Sequence, residues 1–92
     1  MVPVEILPPA EEGLARLTRG KKSQVLDKLD EVEDDPFIGD HKQRELYCCY
    51  SLRISHIRVV YTLREGKAIV LAIGPHDWAY STAADVLGSY FS

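Results

Sequence analysis

The run "SLRISHIRVVY", residues 51–61, decides how this chain is read. Leu52 and Ile54 alternate before Ser55-His56, and Ile57, Val59 and Tyr61 alternate after it, the period of two that a half-buried strand requires. A bend centred on Ser55-His56 makes the run a tight β-hairpin. That register places Arg53 directly opposite Arg58, on the face away from the apolar set. Like charges facing each other across an antiparallel pair are destabilising. Something must offset their repulsion.

Working outward, residues 46–54, 57–64 and 67–73 are three strand-like runs rich in Val, Ile, Tyr and Leu. Gly66, in the run from Arg64 to Lys67, marks a second hairpin turn, and Gly74-Pro75 closes the last strand. Toward the N-terminus the period changes. Val2 to Leu7 reads as a short strand, confined by Pro3 to an edge or a strand start. Pro8-Pro9 breaks it and suits the first turn of a helix over 10–17, which Gly20 interrupts. Val25, Leu26, Leu29 and Val32 form one apolar stripe on a second helix, 21–34, which Pro36 ends. The run from Ser81 to Phe91 reads as a short terminal helix, with Thr82 and Asp85 at capping-box spacing. The expected class is α+β: an antiparallel sheet of about four strands with two N-terminal helices on one face and a short C-terminal helix. Leu14, Leu17, Val25, Leu29, Leu52, Val59, Tyr61, Leu71 and Ile73 are the expected core.

Ninety-two residues, 46% hydrophobic and 27% charged, fit one globular domain over 1–92 and exclude a disordered chain. No apolar run approaches a membrane span, and the N-terminus lacks the pattern of a signal peptide. Cys48 and Cys49 are adjacent in a strand-like run, where neighbours point to opposite faces, and are too few for a zinc site. A reducing cytoplasm is the expected location. The net charge of −3 argues against nonspecific nucleic-acid binding, but it hides an asymmetry. Residues 1–40 carry ten acidic and five basic side chains, whereas residues 41–92 carry four acidic and six basic, so a local basic surface is available.

Asp35-Pro36 with Gly39, Arg53, Arg58-Val59-Val60-Tyr61, Gly74 and Tyr80-Ser81 together resemble the RelE/ParE superfamily of bacterial and archaeal toxins. The resemblance spans the chain and is carried mainly by Leu46 to Tyr80; the two helices share only an apolar pattern. It implies a RelE-like fold and a toxin of a type II toxin–antitoxin system, in a hetero-oligomer with a cognate antitoxin. Two activities are implied by different branches. Toxins similar to RelE cleave messenger RNA in the ribosomal decoding site. Toxins similar to ParE poison DNA gyrase, and some homologues only bind antitoxin.

Metal-independent RNA cleavage uses the 2′-hydroxyl against the adjacent phosphate, and it needs a base, cationic donors for the developing charge and an acid for the leaving 5′-oxygen. Arginine's planar fork matches phosphate oxygens and stays charged, so a phosphate between Arg53 and Arg58 would relieve their repulsion. The alternative partners are the carboxylates of Glu45, Asp77 and Asp85. Arg58 occupies the place of a catalytic arginine of the RelE branch. His76 stands where that branch has a basic residue, and histidine exchanges protons near neutrality. Tyr80 matches a tyrosine that stacks on a base or assists proton transfer. Ser51 replaces a lysine proposed as general base in RelE, and Pro75 and His76 fill a place where an arginine is usual. Lys42, Arg44 and Ser51 are the expected RNA-binding residues, with Lys42, Arg44 and Glu45 available to supply the missing charge. No cofactor or metal ligand set is indicated. The runner-up reading is a gyrase inhibitor or an inactive antitoxin-binding homologue.

Overall fold

The computed structural model of the protein describes residues 1–42, 46 and 48–90. Its elements run β1 (Val4–Ile6), α1 (Pro8–Ala15), α2 (Arg19–Asp34), β2 (Asp40–His41), β3 (Cys49–Ile54), β4 (Ile57–Arg64), β5 (Lys67–Pro75) and α3 (His76–Tyr90). The expected hairpin forms in the expected register: Ile54 pairs with Ile57, Arg53 with Arg58 and Leu52 with Val59. Ser55, at φ 56°, takes the left-handed turn position. The second turn uses Glu65 at φ 53° and Gly66 at φ 78°, both left-handed, as hairpins with two-residue loops favour.

The α+β class and helix-on-sheet arrangement are as read from the sequence, and three details differ. Among the described residues the sheet has five strands, in the order β1-β5-β4-β3-β2. Its first strand pairs parallel to β5, Val4 opposite Ala68, so the sheet is mixed rather than antiparallel throughout. Both N-terminal helices begin earlier than their periodicity suggests. Pro8 and Pro9 form the first turn of α1 itself, where their missing N–H groups cost nothing. Gly20 lies inside α2, because Thr18 is the cap: its Oγ1 accepts from the Lys21 N–H at 3.3 Å. The terminal helix follows β5 directly and spans 15 residues, so Thr82 and Asp85 sit inside it and cap nothing.

Two apolar clusters cover the two faces of the sheet. On one, Val25, Leu29 and Val32 of α2 and Ala10 of α1 meet Leu52, Ile54, Ile57, Val59, Tyr61 and Ile73. On the other, Ala79, Ala83 and Val86 of α3 meet Cys49, Val60, Ile69, Leu71 and Ala72. Leu14 and Leu17 are only partly buried at the rim of the first cluster. Leu26 is 43% exposed and leaves the expected stripe of α2. Between β4 and β5 the register slips: Val60 faces Ala72 but Tyr61 faces Val70. Leu71 is the extra residue of this bulge, which explains why consecutive Leu71 and Ala72 both join the α3 cluster.

Close backbone approach fixes α1 on the sheet. A Cβ at Gly13 would stand 1.8 Å from the Ile73 carbonyl oxygen, a distance no side chain tolerates. The loop after α2 is pinned by Tyr61, whose hydroxyl donates to the Pro36 carbonyl at 2.8 Å and accepts from the Gly39 N–H at 3.1 Å. The Asp35-Pro36…Gly39 motif and the Arg58–Tyr61 motif are thus one hydrogen-bonded unit.

Candidate active site

Alternation along β3 sends Leu52 and Ile54 toward α2, so Ser51 and Arg53 face the α3 side. Their cross-strand partners on β4 are Val60 and Arg58, and Val60 packs in the α3 cluster. The arginine pair therefore continues the α3 face beyond the part that α3 covers. Among the described residues neither arginine meets a carboxylate. Arg58 folds back on its own hairpin, its Nη1 donating to the carbonyls of Ser55 and Ile57, each at 3.3 Å. Arg53 is exposed and also borders a shallow groove beside Asp27, Lys28 and Glu31 of α2.

Tyr80 does not open the last helix. It stands in the second turn of α3, half-buried against the sheet, and its hydroxyl lies 2.9 Å from the Ser51 Oγ. Among the described residues Ser51 is one of two buried polar ones, the other being Thr62, whose Oγ1 donates to the Cys48 carbonyl at 2.7 Å. Lys42 completes the site from the other side. Its N–H donates to the Cys49 carbonyl at 2.9 Å, prolonging the β2–β3 ladder, and its Nζ reaches 5.1 Å from the centre of the Tyr80 ring. Burial pushes the Tyr80 phenol up, but hydrogen bonding with Ser51 and Lys42 and the charges of Lys42 and Arg58 outweigh it. The phenol ends below its ordinary value.

His76 is the first residue of α3, and its ring meets the Tyr80 ring edge-on, centroids 4.6 Å apart. Its Nδ1 lies 2.8 Å from the Asp77 carboxylate, which fixes the imidazole's orientation and leaves Nε2 for other partners. Asp77, one of the alternative arginine partners, pairs with its chain neighbour instead. The structure thus brings Ser51, Arg58, His76, Tyr80 and Lys42 to one face, with Arg53 across the strand from Arg58. Arg44 and Glu45 lie outside the described residues. Cys48 precedes β3, so its Sγ stands 3.9 Å from that of Cys49 rather than on the opposite face, and both thiols are free. Burial pushes the Cys49 thiol up to about 12. Among the described residues there is no group of three or more His, Cys, Asp or Glu able to hold a metal ion, and no helix long and apolar enough to cross a membrane.

A half-buried phenol, an oriented imidazole and fixed cations form a surface suited to an anionic substrate. Residues 4–80 match the family model described as the ParE toxin of the type II toxin–antitoxin system parDE, and the chain belongs to that family, within the RelE/ParE superfamily. Among solved structures it is similar to a free double mutant of the Escherichia coli toxin RelE, at TM-score 0.78 and 23% identity over 91% of this chain and 95% of that one. It is similar to the toxin of the intact E. coli RelBE toxin–antitoxin complex, at TM-score 0.71 and 25% identity over 82% of this chain and 96% of that one. A third similarity is to the RelBE2 toxin–antitoxin complex of Mycobacterium tuberculosis, at TM-score 0.73 and 19% identity over 80% and 96%. No curated protein sequence matches.

Proposed function

We propose that this toxin is an endoribonuclease that cleaves messenger RNA on the ribosome and is held inactive in a hetero-oligomer with its cognate antitoxin in the cytoplasm. The observation that carries the reading is the convergence of Tyr80, Ser51, Lys42 and His76 beside an arginine pair that has no carboxylate partner among the described residues. In the reaction a base takes the 2′-hydroxyl proton and the 2′-oxygen bonds to phosphorus. The bond to the 5′-oxygen breaks, and that oxygen takes a proton from an acid. Arg58, with Arg53 across the strand, neutralises the charge gathering on the phosphoryl oxygens, as preorganised donors do. Tyr80 and His76 are the proton-transfer groups. Lys42 and Arg44 line the path of the RNA, and Ser51, buried and bonded to Tyr80, supports the phenol behind it. The antitoxin reading rests on the family and on the similar RelB-bound toxins.

A second reading is favoured by the net charge of −3 and by Ser51 in place of a lysine: inhibition of DNA gyrase, or antitoxin binding without catalysis. Primer extension on a reporter mRNA after induction, with and without active translation, separates them. Cuts inside translated codons support the nuclease. Intact mRNA with an SOS response supports gyrase, and intact mRNA without one supports the inactive homologue.

A further inference from the structure

Lys42 stands just past the end of β2, and the fold holds it in one place. In the β2–β3 ladder Asp40 pairs with Ser51 and His41 with Tyr50. The His41 ring stacks on Tyr50, centroids 5.0 Å apart, on the α2 side. Alternation then sends Lys42 to the opposite side, where Ser51 and Tyr80 are. The backbone bond from Lys42 to Cys49 fixes its Cα, and the ammonium rests by the phenol ring. Ser51 is meanwhile too short and too buried to exchange protons with a substrate, and its Oγ is committed to the Tyr80 hydroxyl at 2.9 Å.

We infer that Lys42 is a positioning residue for Tyr80: the β2–β3 hairpin and Ser51 clamp the phenol from two sides, so that its oxygen exchanges the proton of the 2′-hydroxyl. This rests on the nuclease reading, in which Tyr80 is a proton-transfer group, and adds what holds and tunes that phenol. Among the described residues, the groups facing the phenol are Lys42 from the end of β2, Ser51 from β3, Arg58 from β4, and His76, with its Asp77 partner, from α3. Among these, cations outnumber anions, which favours the phenolate that must accept the proton. Of these cations, Lys42 is the one seated over the ring.

The test is a near-ultraviolet titration of tyrosinate, with the Tyr80→Phe protein subtracted to isolate Tyr80, alongside cleavage of ribosome-bound mRNA across pH. Lys42→Met keeps the stem and removes the charge. It should move the Tyr80 midpoint up by about one pH unit, the low end for loss of an opposite charge within reach. The acid limb of the cleavage profile should shift by the same amount. Lys42→Arg should restore both. An unchanged Tyr80 midpoint in Lys42→Met overturns the inference, as does a moved midpoint with an unmoved profile. If the unaltered toxin leaves the mRNA intact, the nuclease reading and the proton step fail together, and the titration alone then decides whether Lys42 sets the phenol.

Discussion

The two faces of the sheet are built from the same strands and differ in almost everything else. Toward α1 and α2 the strands present Leu52, Ile54, Ile57, Val59 and Ile73, and the helices answer with Val25, Leu29 and Val32. Toward α3 the same strands present Ser51, Arg53, Arg58 and Thr62 among the apolar residues, and the helix answers with small Ala79 and Ala83 and with Tyr80. Among the described residues, every buried side-chain polar atom still has a hydrogen-bond partner. One step of alternation therefore separates the face that stabilises the fold from the face that carries the candidate chemistry. A one-residue slip of the hairpin would exchange them.

The sharpest way to break this division is Arg58→Ala. On the proposed mechanism it removes a charge-assisted donor from a preorganised site, worth roughly 3 to 4 kcal/mol, or two to three decades in cleavage rate. Stability should hold or rise by up to about 1 kcal/mol, because half of a like-charge pair is gone and only two long bonds to carbonyls are lost. Cleavage assays and denaturation midpoints on the same protein check both. An unfolded variant whose folded fraction cleaves normally would make Arg58 structural. Leu29→Ala is the mirror test on the other face. Leu29 is 5% exposed beneath α2, and truncation should cost about 3 kcal/mol in stability, read from the denaturation midpoint, with cleavage by the folded fraction unchanged.

The hairpins were legible because their signals are local: two apolar runs of period two around Ser55-His56, and Glu65-Gly66 between two more. The arginine pair follows from that register alone. What was hidden depends on contacts between distant segments. Val4 opposite Ala68 leaves no mark in either run, and β2 has two residues, too few for a period. Gly74-Pro75 reads as a stop, yet Pro75 directly precedes the helix, so the sequence signal for α3 begins five residues late, at Ser81. That error also hid the site's centre, since the Ser51–Tyr80 contact exists only once α3 lies on the sheet. The His76–Asp77 pair is available from adjacency alone, but a sequence offers Asp77 equally to the arginines.

Tyr61 tests whether the loop after α2 belongs to the stabilising face. Tyr61→Phe leaves the Pro36 carbonyl without its donor and the Gly39 N–H without its acceptor, at a cost of roughly 1 to 3 kcal/mol. A pH series sharpens the same question on the α3 side. Cys49 titrates at about 12 folded against 9.0 in an ordinary thiol, so the folded state keeps a proton that the unfolded state loses. Its contribution is full below pH 9 and declines as pH rises toward 12, with a slope of at most about 1.4 kcal/mol per pH unit. Cys49→Ala should remove that part of the alkaline decline in the denaturation midpoint. An identical decline in the variant would assign it to other groups.

The smallest expected effect lies where the two faces meet, at the hairpin turn. Ser55 holds φ 56°, a conformation that costs an L-residue roughly 1 to 2 kcal/mol and glycine almost nothing. Glycine gives back part of that gain, about 0.5 to 1 kcal/mol, through the greater freedom of its unfolded chain. The net for Ser55→Gly is a gain between about zero and 1.5 kcal/mol. The Ser55 side chain is exposed, and the group that Arg58 uses at this position is the backbone carbonyl, which the substitution keeps. Cleavage should therefore be unchanged while the denaturation midpoint rises slightly. A fall in the midpoint would mean that the serine hydroxyl supports the turn. A fall in cleavage at unchanged stability would mean that the turn must be stiff to aim Arg58, and that the two faces are coupled through the one loop they share.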